Sequence, residues 1–170
     1  MTVVVWSGRH LATDTFWSSS DSDYPGFHRQ KARLIEATAD TPAMLVGITG
    51  NGGAAVWLQH AAPCDLWDDE ACTPNRKRLH TIAGKRADLV FLIPGRPGEV
   101  TVHQWTGGTL EPGPPEGAIG SGGYVALGVL FVTRKAKVEE RLATAVAAAC
   151  EYVPACKIGS EGVWLNRLPT

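Results

Sequence analysis

The sequence lacks an excess of charge of either sign. Its 170 residues include 16 lysines and arginines against 17 aspartates and glutamates, which leaves a formal net charge of -1. A protein that binds nucleic acid through a broad surface needs a large basic patch to attract the phosphates. The balance of charge therefore predicts no nucleic-acid partner.

Long hydrophobic runs are also missing. No apolar stretch approaches the roughly 20 residues that a membrane-spanning helix needs. The apolar start at 1–6 is short and lacks the basic residues that precede the hydrophobic part of a secretory signal. We therefore expect no membrane segment and a cytoplasmic protein.

Cysteine is scarce, and its four residues are Cys64, Cys72, Cys150 and Cys156. In sequence, Cys64 and Cys72 form one pair and Cys150 and Cys156 form another. Neither pair has the Cys-x-x-Cys spacing of a zinc knuckle, and no two histidines stand at zinc-finger spacing. Scattered thiols in a cytosolic protein are usually reduced. The sequence thus predicts no disulfide framework and no metal site.

The apolar residues that are present are sufficient for a folded core. Hydrophobic residues make up 44% of the chain and charged residues 19%, a composition that excludes a disordered chain. The length suits one domain over 1–170, and the chain contains no internal repeat and no linker.

The spacing of apolar residues predicts a mixture of strands and helices. We expect strands at 3–6, 10–13, 31–37, 43–49, 88–93, 100–105 and 161–165. We expect a helix after Gly50, a short amphipathic helix within 63–85, a buried helix at 124–132 and an amphipathic helix at 135–150. Exposed segments are expected at 17–26 and 107–115. Because strands come in runs rather than alternating with helices, the order predicts an α+β fold.

Thr2 is one candidate for a catalytic group. If Met1 is removed, the threonine gains a free α-amine, whose usual pKa of about 7.7–8.0 allows it to accept the hydroxyl proton. Position alone does not distinguish this role from that of a threonine without function.

A glycine-rich run at 50–55 fits the pattern G-x-G-x-x-A of a dinucleotide site. Such a site also needs an acidic residue about 20 positions further on, at the end of a second parallel strand. Acidic residues at 68–70 lie near that distance, but 63–67 is not a β-branched strand. We therefore favour the interpretation that these glycines allow a close approach of the backbone where a strand turns into a helix. We expect no cofactor.

Serine and histidine provide a weaker candidate. Ser121 stands between glycines but lacks the spacing of a G-x-S-x-G elbow, and the five histidines show no metal-binding pairing. A Ser-His-Asp arrangement stays open, as does a glycine cluster that starts a helix and orients a nearby charge with its amides.

Five short motifs, in their order and spacing, resemble proteasome β-type subunits. They are Thr-Val-Val-Val at 2–5, Ala-Thr-Asp-Thr at 12–15, Lys-Ala-Arg at 31–33, Gly-Ile-Thr-Gly at 47–50 and Ala-Ile-Gly-Ser-Gly-Gly at 118–123. The resemblance is in particular to the bacterial heat-shock-locus peptidase and other bacterial proteasome-like homologues. It extends from residue 2 to about 165 and is weakest between 63 and 85.

The resemblance implies the four-layer αββα sandwich of the N-terminal nucleophile hydrolases and a set of residue roles. Thr2 would be the nucleophile, with its own amine as the base. Lys31 would lower the proton affinity of that amine and hydroxyl, and Asp14 would keep Lys31 charged and aimed. The amide of Gly47 would form the oxyanion hole. Ser121 would hydrogen-bond near the amine of Thr2.

The resemblance also implies an activity and partners. The chain would be a threonine-type endopeptidase that cuts unfolded polypeptides or peptides inside stacked rings of identical subunits, after removal of Met1. An ATP-driven unfoldase would feed such rings. Pocket residues near the motifs would be His28, Gln30 and Thr49.

The sequence departs from the family pattern near its C-terminus. Family members often place an aspartate and a serine in the region of 150–156, where this chain has only Glu151 as a rough substitute. The stretch 157–160 lacks the usual glycine-rich pattern. The alternative function is therefore a catalytically inactive proteasome-like ring or scaffold protein.

Overall fold

A computed structural model describes residues 2–17, 27–28, 30–50, 52–82, 87–154, 156–159 and 162–169. Its elements, in chain order, are β1 (Val3–Ser7), β2 (His10–Thr13), β3 (Phe16–Trp17), β4 (Phe27–His28), β5 (Ala32–Ile35), β6 (Met44–Gly50), α1 (Gly52–His60), α2 (Pro63–Leu66), β7 (Trp67–Asp68), β8 (Thr73–Pro74), α3 (Arg76–Ile82), β9 (Ala87–Pro94), β10 (Val100–Thr106), β11 (Thr109–Pro112), β12 (Glu116–Gly120), α4 (Gly123–Val132), α5 (Val138–Tyr152) and β13 (Trp164–Arg167). The fold of the described residues is a mixed arrangement of several sheets and five helices.

The chain starts in a four-stranded sheet, here called the N-terminal sheet, with the order β12-β1-β2-β13. The strands predicted at 3–6 and 10–13 are confirmed, and β1 and β2 pair directly as a hairpin across a turn that contains Gly8. The predicted last strand is also confirmed, with bounds a few residues later than expected. The strand β12 was not predicted.

The middle of the chain forms a five-stranded sheet, here called the central sheet, with the order β11-β10-β9-β6-β5. Strands β5, β6, β9 and β10 confirm the four predicted at 31–37, 43–49, 88–93 and 100–105. The prediction of an exposed turn over 107–115 is wrong in part. Leu110 pairs with Trp105 and is buried there, so β11 becomes the edge strand of the sheet.

The two sheets share a hydrophobic core. Along a strand, successive side chains point to opposite faces. Val4 and Trp6 of β1 accordingly pack with Leu45 and Val90 of the central sheet. Each of these four side chains is fully buried.

Helices cover the outer faces. Val3 and Val5, which alternate with the residues just described, pack against apolar residues of α4 and α5 such as Leu130 and Leu142. On the central sheet, the small-residue face of α1 packs against β6 and confirms the helix predicted after Gly50. The amphipathic helix predicted at 135–150 is confirmed as α5.

Two helix predictions need correction. The helix at 124–132 was expected to be buried, but Tyr124 is 92% exposed and Phe131 62% exposed, because α4 contacts the sheet and α5 along one side only. Within 63–85, the structure has two short helices, α2 and α3, and a β7–β8 hairpin, where a single helix was expected. The exposed loop predicted at 17–26 lies outside the described residues, apart from its first residue.

None of the described helices is long and apolar enough to cross a membrane.

Gly47 allows the close approach of the two sheets. It lies within β6, paired with Ala32 and Val90. A Cβ at this position would lie 2.5 Å from Cγ1 of Val4 and 3.2 Å from Cδ1 of Leu11. Neither neighbour has free space into which to move, since both are fully buried.

We therefore predict that Gly47→Ala lowers the free energy of unfolding by about 1–3 kcal/mol, through overpacking between the sheets. Gly128→Ala is the matched control, because the exposed Gly128 of α4 has no atom within 4 Å of its Cβ position. That change should stabilise the helix by about 0.5–1 kcal/mol. Denaturant unfolding checks both variants, and an unchanged midpoint for Gly47→Ala would contradict the packing role.

Candidate functional site

The site is built around the carboxylate of Asp14, which is completely buried. Its Oδ1 accepts hydrogen bonds from Oγ1 of Thr2 and, at 2.9 Å, from the amide of Val3. Its Oδ2 accepts from Nζ of Lys31 at 2.6 Å and from the amide of Lys157 at 3.4 Å. Four donors from three separate segments of the chain therefore meet at one carboxylate.

The topology brings these residues together. Thr2 precedes β1 and Asp14 follows β2, and the antiparallel register of Val4 with Thr13 sets the start of one strand beside the end of the other. Lys31 precedes β5 in the central sheet, where its carbonyl accepts the amide of Ile48 at 2.8 Å. The site thus lies where one end of the N-terminal sheet meets one end of the central sheet.

Lys31 is a buried cation in an ion pair with Asp14, and both side chains are 0% exposed. Desolvation lowers the pKa of Lys31 below its ordinary value, and the attraction and hydrogen bond of Asp14 oppose that shift. Burial therefore disfavours the ammonium form, and the neighbouring carboxylate is the main group that supports it.

Ser121 lies in the turn between β12 and α4, beside the backbone of Thr2. Its Oγ donates to the carbonyl of Thr2 at 3.4 Å, and the amide of Gly122 donates to the same carbonyl at 3.5 Å. Gly120 has φ of +93° and packs so closely on the carbonyl of Thr2 that a Cβ could not be accommodated. The glycines of this turn therefore let it contact Thr2.

A cavity of 270 Å³ opens beside these groups. It is lined by Thr2, Thr49, Gly50, Asp88, Gly120 and Ser121. Thr2 is 1% exposed, so its small accessible surface faces this cavity.

The structure brings four of the five predicted site residues together and leaves Gly47 apart. Thr2, Asp14, Lys31 and Ser121 are joined by the contacts above. Gly47 lies between the sheets and does not line the cavity. Gly50, three residues further along β6, does line it and has φ of +96°. The motif Gly-Ile-Thr-Gly contains both glycines, and the sequence does not show which of them reaches the site.

The segment after α5 contributes groups that were not predicted. Cys156 is buried, and its Sγ lies 3.9 Å from Oγ of Ser121. Glu151, the expected acidic substitute, is exposed. The segment contacts the site through Cys156 and through the amide of Lys157 instead.

Of the expected pocket residues whose side chains the structure describes, only Thr49 lines the cavity at Thr2. Gln30 lines a separate cavity with Val56 and His60. The side chain of His28 lies outside the described part of the structure.

The glycine-rich run at 50–55 has no dinucleotide-binding context. The pairings of β6 with both of its neighbours are antiparallel, whereas such a site needs a parallel β-α-β unit. The change from strand to helix in the favoured interpretation is confirmed by β6 and α1, and the close backbone approach at these glycines stays a prediction. Among the residues that the structure describes, no cluster of side chains has the composition of a metal site.

Comparison with known proteins gives similarity in structure but not in sequence. No protein-family model matches the chain, and no curated protein matches it. HslV from Trypanosoma brucei is 18% identical, with a TM-score of 0.67 over 99% of both chains. Anbu, an ancestral beta-subunit from Yersinia bercovieri, is 9% identical, with a TM-score of 0.70 over 99% of this chain and 81% of that one. BPH from Thiobacillus denitrificans, in complex with epoxomicin, is 16% identical, with a TM-score of 0.61 over 99% of both chains.

At these identities, the similarity shows the fold. The expected resemblance to proteasome β-type subunits is therefore confirmed as a similarity of fold.

The ion pair at the centre of the site predicts a strong dependence of stability on Lys31. Lys31→Met removes the cation and leaves the carboxylate of Asp14 buried without its ion-pair partner, which should cost about 3–5 kcal/mol of unfolding free energy. In the double variant Lys31→Met, Asp14→Asn, the buried charge is gone and a large part of that loss should return. Denaturant unfolding measures both, and a single variant as stable as the parent protein would contradict the argument.

The thiols near the site should be unreactive. Burial, with Asp14 nearby, raises the pKa of Cys150 to about 12 and also raises the pKa of Cys156, so both stay protonated at pH 8, while the thiolate is the reactive form. Cys64 and Cys72 are exposed. We expect a maleimide at pH 8 to modify Cys64 and Cys72 first, as read by peptide mass spectrometry.

Unfolding in guanidinium is the control for that experiment, since all four thiols should then react. Modification of Cys156 in the folded protein at the rate of Cys64 would contradict the prediction.

Proposed function

We propose that the chain is an N-terminal threonine peptidase with Thr2 as its nucleophile. The observation that carries this proposal is the convergence of the Thr2 hydroxyl and the Lys31 ammonium on the buried carboxylate of Asp14. A threonine hydroxyl is a weak nucleophile, and a neighbouring cation together with a base is the arrangement that activates it.

Removal of Met1 would supply the base. The freed α-amine of Thr2 takes the hydroxyl proton while Oγ1 attacks the carbonyl carbon of the substrate peptide bond. The protonated amine then gives that proton to the leaving nitrogen as the C–N bond breaks, and an ester on Oγ1 remains. Water, deprotonated by the same amine, hydrolyses the ester and regenerates the threonine.

Lys31 and Asp14 act as a unit in this proposal. The ammonium of Lys31 favours the less protonated forms of nearby groups, so it lowers the pKa of the amine and hydroxyl beside it. The carboxylate of Asp14 keeps that ammonium charged in an environment whose burial would otherwise remove the proton.

The negative charge that forms on the substrate oxygen needs a hydrogen-bond donor. We propose the amide of Gly50 for this role in place of Gly47, because Gly50 lines the cavity at Thr2 and Gly47 does not. Losing one such donor commonly costs about 3–4 kcal/mol of transition-state stabilisation.

The packing of helices and sheets supports the layered architecture that the resemblance implies. Three hydrophobic clusters lie between α4–α5 and the N-terminal sheet, between the two sheets, and between the central sheet and α1. That succession supports a four-layer αββα sandwich formed by one domain. We propose further that the subunits form stacked rings in the cytoplasm, where an ATP-driven unfoldase supplies unfolded polypeptide.

The alternative is a proteasome-like ring or scaffold protein without catalysis. Its support is that Ser121 faces the thiol of Cys156, that Glu151 is exposed, and that Thr2 is almost completely buried. A protein with such a site would have the fold of a peptidase without its activity.

Intact mass spectrometry distinguishes the two functions. The purified protein is measured before and after treatment with an epoxyketone, an inhibitor class that needs both an amine and a hydroxyl on the same residue. A peptidase should lack one methionine and gain one adduct. A mass that keeps Met1, or a protein that loses Met1 and gains no adduct, would contradict the proposed mechanism.

Substitutions test the same mechanism through hydrolysis of a fluorogenic peptide. Thr2→Ala should abolish hydrolysis and labelling while the assembly, followed by size-exclusion chromatography, stays intact. Lys31→Ala should also abolish hydrolysis, since the cation is lost. Thr144→Ala is the matched control, because Thr144 is an exposed threonine of α5 that does not line the cavity at Thr2. Unchanged cleavage in either site variant would contradict the mechanism.

A further inference from the structure

Asp88 lies at the candidate site but takes no part in the mechanism above. It is the second residue of β9, and its register with Thr49 of β6 places it beside the end of β6 that reaches Thr2. It lines the 270 Å³ cavity together with Thr2. It also lines an adjoining cavity of 230 Å³, and the two cavities share Asp88 and Gly120.

The carboxylate of Asp88 has no partner within the described part of the chain. No described residue donates a hydrogen bond to it or forms an ion pair with it. Glu116, at the opposite end of β12 from Gly120, differs, since its carboxylate accepts hydrogen bonds from Ser7 and from Arg141, both at 2.7 Å. Asp88 is partly buried all the same, and a carboxylate withdrawn from water is costly unless a cation or donors meet it.

Asp88 is also the only charged residue among those that line the two cavities in the described structure. A single negative charge in a concave, partly dry site attracts cations more strongly than the same charge on an open surface. The chemistry of the pair of cavities therefore selects a positive charge.

The walls of the second cavity suit a long aliphatic chain. They are formed by Ala118, Ile119, Gly120, Gly123, Tyr124 and Leu127, together with Asp88. Lysine and arginine cover apolar surface with their methylene groups while the charged end reaches a polar partner. The exposed Tyr124 stands at the rim of this cavity.

We propose that the two cavities form a subsite for a basic side chain, lysine or arginine, of the substrate next to the scissile bond, with Asp88 as its specificity-determining residue. The inference rests on the proposed function, since it names the class of peptide that reaches Thr2. Asp88 itself moves no proton in the reaction.

The test compares cleavage of a mixed peptide library by the parent protein and by Asp88→Asn, with the cut sites read by mass spectrometry. The parent protein should show an enrichment of lysine and arginine at one position beside the cut, and Asp88→Asn should lose it. For a matched pair of peptides with lysine or norleucine at that position, kcat/KM of the lysine peptide should fall about tenfold, which corresponds to about 1.4 kcal/mol. The norleucine peptide should be cut at the parent rate.

Two further variants test whether Asp88 determines the preference for a basic side chain. Asp88→Lys should shift the preference at the same position toward aspartate and glutamate. Asp40→Asn is the matched control, because Asp40 is an exposed aspartate outside both cavities, and it should keep the basic preference. A preference that survives in Asp88→Asn, or an equal loss of cleavage for all peptides, would overturn the inference.

A binding measurement separates this inference from the proposed function. Fluorescently labelled lysine and norleucine peptides are titrated into Thr2→Ala and into Thr2→Ala, Asp88→Asn, with anisotropy as the readout. A preference for lysine that disappears with Asp88 supports the subsite even if the parent protein hydrolyses nothing, in which case only the peptidase proposal fails. Hydrolysis by the parent protein together with equal binding of both peptides would overturn the subsite and leave the peptidase proposal standing.

Discussion

The buried carboxylate of Asp14 is the constraint on which the rest of the site depends. It accepts hydrogen bonds from the Thr2 hydroxyl, the Val3 and Lys157 amides and the Lys31 ammonium. A buried carboxylate is tolerated only when such partners surround it. The start of β1, the segment before β5 and the segment after α5 are therefore fixed around one side chain.

Close packing between the sheets gives that carboxylate its fixed surroundings. Gly47 lets the side chain of Val4 approach β6, and Gly120 lets the turn after β12 lie directly on the carbonyl of Thr2. In both places, a methyl group would force the backbone or a buried side chain to move. The glycines thus act on the site through distance, since they set how near the two sheets and the turn can come.

Asp14, Glu116 and Asp88 differ in how well the protein itself satisfies their carboxylates. Asp14 is surrounded by donors, and Glu116 is paired with Arg141. Asp88 lies in the wall of a cavity without a described partner. This difference separates a charge that the protein's own donors satisfy from a charge that, in our proposal, is left for a side chain of the substrate.

The sequence by itself determined the strands β1, β2, β5, β6, β9 and β10 and the helices α1 and α5, because short-range alternation and helical spacing carry that information. The convergence of Thr2, Asp14 and Lys31 was predicted from the resemblance of the motifs to proteasome β-type subunits. Only the tertiary structure decided which glycine of the motif at 47–50 reaches the cavity, and that α4 keeps an exposed apolar side. The position of the glycine depends on strand register, and the exposure of α4 depends on which elements pack against it. Such long-range contacts leave no local pattern in the sequence.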